Sequence, residues 1–351
     1  MAERERERER GVKYLRRFVI GVFLTLLVAA LASGIFIKCS YFSHKLPTKS
    51  IKMEDIRSVQ IINLDRAKER REHYEKMLRD NFGDTFMGRK IGEEIRLSGV
   101  DGKKEIIFEN LDNGKKYKYE QIKGREDLYL KDRQFKVYSE KDPKNYWYFS
   151  FTRKEKGEWR YNSIFNIFGC NLSHWKAIEK ISKQPDGTYG IIFEDDFYVG
   201  KDFDKKLQNI LSEVPKDFDV IKISLNQAQI LAGYKQLPLS KKHIRFIKKS
   251  FRKYGYGSWM DLSVLNEEVG SFTYGDQGYI VSAEGARKII EYTRNHFMRH
   301  SGCDNSLYLF LPKDEVIKSY IYLKKVPVLL SQDAKKSQLV LGVKKTIIAV
   351  L

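Results

Sequence analysis

Short apolar runs alternate with stretches of helical periodicity along most of the chain. Ser58–Asn63 (Ser-Val-Gln-Ile-Ile-Asn), Ile191–Phe193, Val220–Ser224 and Gly278–Ser282 are brief and rich in β-branched or aromatic residues, the pattern of buried strands. Between them the spacing predicts three helices. Ala67–Asp80 carries Tyr74, Met77 and Leu78 on one face, with Asp65 as a candidate N-cap. A second helix runs from Gly169 to about Lys183 and buries Leu172, Trp175, Ile178 and Ile181, with Asn171 or Ser173 as its cap. A third, Ala283–Arg294, turns Ala286, Ile289 and Ile290 inward. Cys303-Asp304 opens a short apolar helix that ends at Pro312, and Ile321–Val326 and Val328–Leu330 read as the last strands. Alternation of this kind predicts an α/β fold.

Two regions depart from it. Phe18–Ile37 contains no charged residue, and its twenty residues at ~1.5 Å each span the roughly 30 Å hydrocarbon core of a bilayer. It reads as a transmembrane signal anchor behind a charged tail, residues 1–17. A cleaved signal peptide is the alternative, because Ala30-Leu31-Ala32 resembles a small-residue cleavage site. The basic residues before the span favour an N-terminus on the inside, a type II single-pass arrangement. A polar stem, 38–55, then leads to a globular domain at 56–338 and a C-terminal tail at 339–351. Inside that domain, residues 103–160 mix dense charge with scattered Tyr, Phe and Trp, and Asp112-Asn113-Gly114-Lys115 is a hairpin-turn candidate. This reads as an inserted, mainly β segment. Its aromatics form a small core of the insert itself or, alternatively, stack on sugar rings.

Composition is that of a globular protein, and a net charge of +19 makes the surface attractive to phosphates and anionic lipid. Residues 241–253 are strongly basic and interleaved with Ile and Phe, yet no nucleic-acid-binding motif accompanies them, so no specific nucleic acid is expected. Three cysteines, Cys39, Cys170 and Cys303, make no disulfide framework, and no CxxC or Cys/His cluster in the sequence suggests zinc.

The candidate chemistry sits where the strand Ile191–Phe193 runs into Glu194-Asp195-Asp196. Carboxylates at the end of a buried strand are costly unless paired or bound to a metal, so this is a candidate mouth for a divalent cation. A strand, a short turn and a helix start near Asp65 and Arg66 form an anion site by geometry, strengthened by Arg70 and Arg71. His174 falls near a helix start shortly before the acids. Asp304 is either an N-cap or a second acid facing the same cleft.

These pieces together resemble glycosyltransferase family 25, which includes the lipooligosaccharide galactosyltransferases of bacteria and the procollagen galactosyltransferases. The resemblance is carried by Ile62-Asn63-Leu64-Asp65-Arg66 with Arg70-Arg71, Val100-Asp101-Gly102, Gly169-Cys170-Asn171-Leu172-Ser173-His174, Ile192–Asp196, Gly278–Ser282 with Gly285-Ala286, Asp304, and Pro327–Gln332. It covers about Ser58 to Gln338. The chain departs from the family at Asp276-Gln277, where Gly-Thr is usual, and in the length of its insertion. The resemblance implies a GT-A type, Rossmann-like fold that binds a UDP-sugar, with Mn²⁺ or Mg²⁺ as cofactor and inversion at the anomeric carbon. It implies Asp196 and Glu194 as metal ligands, Glu194 alternatively facing the ribose. Asn63, Asp65, Arg66, Arg70 and Asp195 would contact the donor. Asp304 would be the catalytic base, with His174 as the alternative. The acceptor would be a hydroxyl of a glycan, a glycolipid or a protein hydroxylysine. An inactive membrane-tethered relative that binds anionic surfaces and a metal-dependent phosphoesterase are the rival readings.

Overall fold

A computed structural model describes residues 46–122, 134–150, 161–223, 255–256, 259–264, 278–299, 303, 306–322 and 331–332. Its first unit of structure is a β-α-β crossover: β1 (Ile56–Asn63), α1 (Lys68–Phe82) and β2 (Arg96–Ser98), with the two strands parallel. α1 buries Tyr74, Met77 and Leu78, as its periodicity predicts. Its N-cap is Ala67 and makes no side-chain cap bond. Asp65 does not cap the helix, because its carboxylate is held by Arg96 and by the Ser98 hydroxyl at 2.8 Å.

The chain then builds a separate antiparallel sheet from β3 (Ile106–Asn110), β4 (Lys116–Tyr117), β5 (Gln134–Ser139) and β6 (Asp142–Ser150). The β3–β4 turn carries Gly114 at φ 67, a left-handed conformation that suits glycine. α2 (Tyr161–Ser182) follows, then β7 (Tyr189–Glu194), the short β8 (Phe197–Tyr198), α3 (Phe203–Leu211) and β9 (Val220–Lys222). The rest comprises β10 (Gly255–Tyr256), β11 (Trp259–Asp261), β12 (Gly278–Ser282), α4 (Ala283–Asn295), β13 (Phe297–Arg299), β14 (Ser319–Tyr322) and β15 (Ser331–Gln332).

Eight strands form the main sheet in the order β10-β11-β14-β9-β12-β7-β1-β2. β7 lies parallel to β1, pairing Ile192 with Gln60, and antiparallel to β12, pairing Ile191 with Ile280. Tyr189 to Phe193 are all buried, which is what a central strand covered on both faces requires. β1, β2 and β7 point the same way, so their carboxyl ends share one edge of the sheet. That edge is where the acids fall.

α2 differs from the sequence expectation in where it starts. It begins eight residues before Gly169, so Asn171 and Ser173 lie inside it and cap nothing. Phe165 and Phe168 continue the apolar face of Leu172 and Trp175 toward the N-terminus. Gly169 is instead a contact point: a Cβ there would lie 2.8 Å from the Val100 carbonyl oxygen, and one at Gly102 would lie 1.8 Å from the Phe165 carbonyl oxygen. Ser173 fastens the same turn, donating to the Gly169 carbonyl at 2.6 Å and accepting from the Val100 N–H at 2.8 Å.

Four strands from the segment 103–160 and β13 form the second sheet, in the order β13-β6-β5-β3-β4. Phe108, Phe135, Trp147 and Phe149 are core residues, as first expected, but the core is not the insert's own. Phe149 packs on Phe168 at 4.5 Å between ring centroids and Trp147 on Trp175 at 5.5 Å, both partners belonging to α2. β13, from far down the chain, completes this sheet beside β6. Among the described residues no helix is long and apolar enough to cross a membrane. Phe18–Ile37, the basic stretch 241–253, Asp304 and Val328–Leu330 lie outside the described residues.

Candidate active site

At the carboxyl ends of β1, β2 and β7 lies a cleft of about 140 Å³. Its walls come from four places: Ile62, Leu64, Arg66 and Arg70 at the end of β1 and the start of α1; Val100 and Gly102; Asn166, Cys170, Ser173 and His174 on α2; and Glu194, Asp195 and Asp196 at the end of β7. The open edge of a parallel sheet is where α/β proteins place ligands, because the loops that follow the strands diverge there.

The three acids have different surroundings. Asp195 is 5% exposed and both its oxygens are engaged, one by Arg70 at 2.8 Å and the other by the Asn63 amide at 2.7 Å. Burial pushes its pKa up to about 6, with neighbouring Asp196 adding to the rise and Arg70 and Asn63 opposing it. Asp195 therefore fixes Arg70 against the end of β7. Asp196 is 4% exposed and lines the cleft. Glu194 faces α2: its Oε1 lies 3.3 Å from His174 Nε2 and 3.8 Å from Cys170 Sγ. His174 is buried inside α2, and its other ring nitrogen, Nδ1, is 3.0 Å from the Tyr279 hydroxyl on β12. With the proton on Nε2, the ring donates to Glu194 and accepts from Tyr279, so both nitrogens are satisfied.

The predicted donor contacts divide. Arg66 and Arg70 reach the cleft. Arg66 is partly exposed and donates to Asp101 at 2.7 Å, a carboxylate that also accepts from the Lys103 N–H at the start of a short helix. Asn63 is not on the cleft wall. It is buried and serves Asp195, while its own oxygen accepts from Arg96 at 3.3 Å. Asp65 is exposed, outside the cleft lining, and its pKa is lowered by the Arg96 and Ser98 hydrogen bonds. Sequence reasoning assigned no site role to Cys170 or Tyr279 and gave Ser173 only that of a helix cap. The four-residue spacing of Cys170 and His174 signals a shared helical face once α2 is begun at Tyr161.

The donors present suit a divalent cation. Glu194 and Asp196 bring hard carboxylate oxygens to the cleft wall, of the kind Mn²⁺ and Mg²⁺ take. Asp195 brings none, since both its oxygens are engaged by protein donors.

A mixed α/β sheet with cationic and carboxylate groups converging at the carboxyl ends of its parallel strands is the arrangement of an α/β protein whose site lies at its strand ends. The chain belongs to glycosyltransferase family 25: the model of that family, described as glycosyltransferase family 25 (LPS biosynthesis protein), matches residues 57–303. The matched segment contains every residue of the cleft wall, and the protein is a glycosyltransferase. No curated protein matches the chain at a significant level.

Proposed function

We propose that the protein is a membrane-anchored, metal-dependent, inverting hexosyltransferase of GT-A type. It uses a UDP-sugar, galactose first and glucose second, and transfers the sugar to a hydroxyl of a glycan, a lipid-linked sugar or a protein. The family's description favours a lipopolysaccharide-type glycan as acceptor. The observation that carries the reading is the meeting of Arg66, Arg70, Glu194 and Asp196 on one cleft wall at the ends of parallel strands.

In this reading Arg66 and Arg70 bind the donor's phosphates, with Arg70 pre-set by Asp195 so that little ordering is needed when the donor arrives. Asp196, with Glu194, holds the divalent cation. When bound, that cation supplies charge for the departing nucleoside diphosphate. Glu194 is kept in orientation by His174, itself braced by Tyr279. Asp304 takes the proton of the acceptor hydroxyl as general base. Phe18–Ile37 anchors the chain in a membrane as a type II protein.

The test is UDP release by the full-length, detergent-solubilised chain with a panel of UDP-sugars and Mn²⁺. The expected outcome is metal-dependent release with UDP-galactose or UDP-glucose, lowered by about 100-fold or more in Asp196→Ala. Absence of release with every donor, or an unchanged rate in Asp196→Ala, would overturn the reading.

A further inference from the structure

Among the described residues, one group of three side chains brings its ligating atoms close enough together to hold a metal ion, and it is not the run of acids. The ligating atoms of Cys170, His174 and Glu194 all lie within 4.8 Å of one another. The nearer pairs are 3.3 Å for His174 Nε2 and 3.8 Å for Cys170 Sγ, each measured to the same Glu194 oxygen. A tetrahedral ion with bonds of ~2.0 Å to nitrogen or oxygen and ~2.3 Å to sulfur sets its ligand atoms about 3.3–3.5 Å apart. The backbone accounts for the convergence. Cys170 and His174 are one helical turn apart on the same face of α2, and Glu194 ends the strand β7 alongside it.

Two further features fit a metal. The ring nitrogen of His174 that faces away from the cluster is 3.0 Å from the Tyr279 hydroxyl, the outer contact that metal-binding histidines use to fix ring orientation. All three ligands also line the cleft, which gives an ion a way in.

We propose that Cys170, His174 and Glu194 form a binding site for a borderline-soft divalent transition metal of the Zn²⁺ class, which shares Glu194 with the Mn²⁺ or Mg²⁺ position proposed at Asp196 and does not need Asp196. The donor set decides the metal. One thiolate and one imidazole favour Zn²⁺ and Co²⁺ over the hard cations, which prefer oxygen. Binding exchanges the thiol proton for the metal: the S–H proton leaves to solvent and a sulfur–metal bond forms, while the neutral imidazole changes tautomer, its proton moving from Nε2 to Nδ1, where it is donated to the Tyr279 hydroxyl and leaves Nε2 free to bind the ion. An ion at this position holds the Glu194 carboxylate toward α2. The site stands whether or not the chain uses a UDP-sugar.

The experiment is a Co²⁺ titration of the reduced, metal-stripped, full-length protein, followed by absorption. The expected result is a near-ultraviolet thiolate-to-cobalt charge-transfer band that saturates at one ion per chain and is bleached by one equivalent of Zn²⁺. Cys170→Ser removes the band, His174→Ala weakens cobalt binding at least tenfold, and Asp196→Ala retains the band. A second measurement needs no variant: one equivalent of Zn²⁺, but not of Mn²⁺, slows alkylation of Cys170 at least tenfold, read by peptide mass mapping. No charge-transfer band in the wild-type chain, a band that survives Cys170→Ser or is lost in Asp196→Ala, or Cys170 unprotected by Zn²⁺ would each overturn the proposal. UDP release is not the readout, so these outcomes are separate from failure of the transferase reading.

Discussion

Asp195 and Asp65 are the same residue type and both bind an arginine, yet burial drives them in opposite directions. Asp65 is exposed at the surface, and its pKa falls under the Arg96 and Ser98 hydrogen bonds. Asp195 is enclosed, and its pKa rises to about 6 because loss of water outweighs Arg70 and Asn63. Its folded value lies above the ordinary 3.8, so between these two pH values the folded chain keeps a proton that the unfolded chain has released. This site's contribution to stability therefore falls as pH rises from about 4 to about 6 and is level above that. The stability of the wild-type chain relative to Asp195→Asn should decline across this window, by about 3 kcal/mol at most, in urea melts at successive pH values. Parallel curves for the two proteins would show that Asp195 does not titrate there. The sequence shows three adjacent acids. Which of them is tied to Arg70 follows from Asn63, 132 positions away in the chain.

At the scale of elements, α2 decides most of the site. One face carries Cys170 and His174 into the cleft, and the rest is packed between the two sheets. Its start was not legible because Gly169 and the polar residues after it imitate a helix N-terminus, whereas Gly169 is there to let the Val100–Gly102 turn approach the helix backbone. In an open helix, replacing glycine by alanine gains about 1 kcal/mol. At Gly169 the new methyl group meets the Gly102 nitrogen and the Val100 oxygen at 2.8 Å, backbone atoms that cannot swing aside. Gly169→Ala should therefore lower stability by about 1–3 kcal/mol, the usual cost of overpacking. Gly102→Ala should cost at least as much, since its overlap with the Phe165 carbonyl is deeper. Urea midpoints measure both, and an alanine variant as stable as the wild type would contradict the packing argument. The strands were more legible than α2, because Ile191–Phe193 and the centre of Gly278–Ser282 are short apolar runs whose β-branched residues leave few other options.

At the scale of the whole molecule, the second sheet is joined to the catalytic framework by aromatic packing. Phe108, Phe149 and Trp147 meet Phe165, Phe168 and Trp175 across the sheet–helix boundary. The segment that looked like an appendage thus forms one wall of the core under the cleft. The proposed anchor adds a prediction at this scale. The full chain should stay with membranes after alkaline carbonate washing, and a chain lacking residues 1–45 should be released, both followed by immunoblot. Release of the full chain would remove the anchor from the proposal.

The sequence by itself determined the run of strands and helices, their buried faces, the β-rich insertion, the acids at the end of a buried strand and a charge-free span long enough for a bilayer. All of these are local: periodicity reports which side of an element is apolar, and composition reports what one segment can bury. Tertiary structure alone decided that Asp195 is enclosed and paired, that Asn63 and Asp65 stand off the cleft, and that Cys170, His174 and Glu194 converge. Those outcomes depend on distances between side chains from separate elements. Such distances are set when β1, β7 and α2 pack together, and no residue records them in its own neighbourhood of the chain.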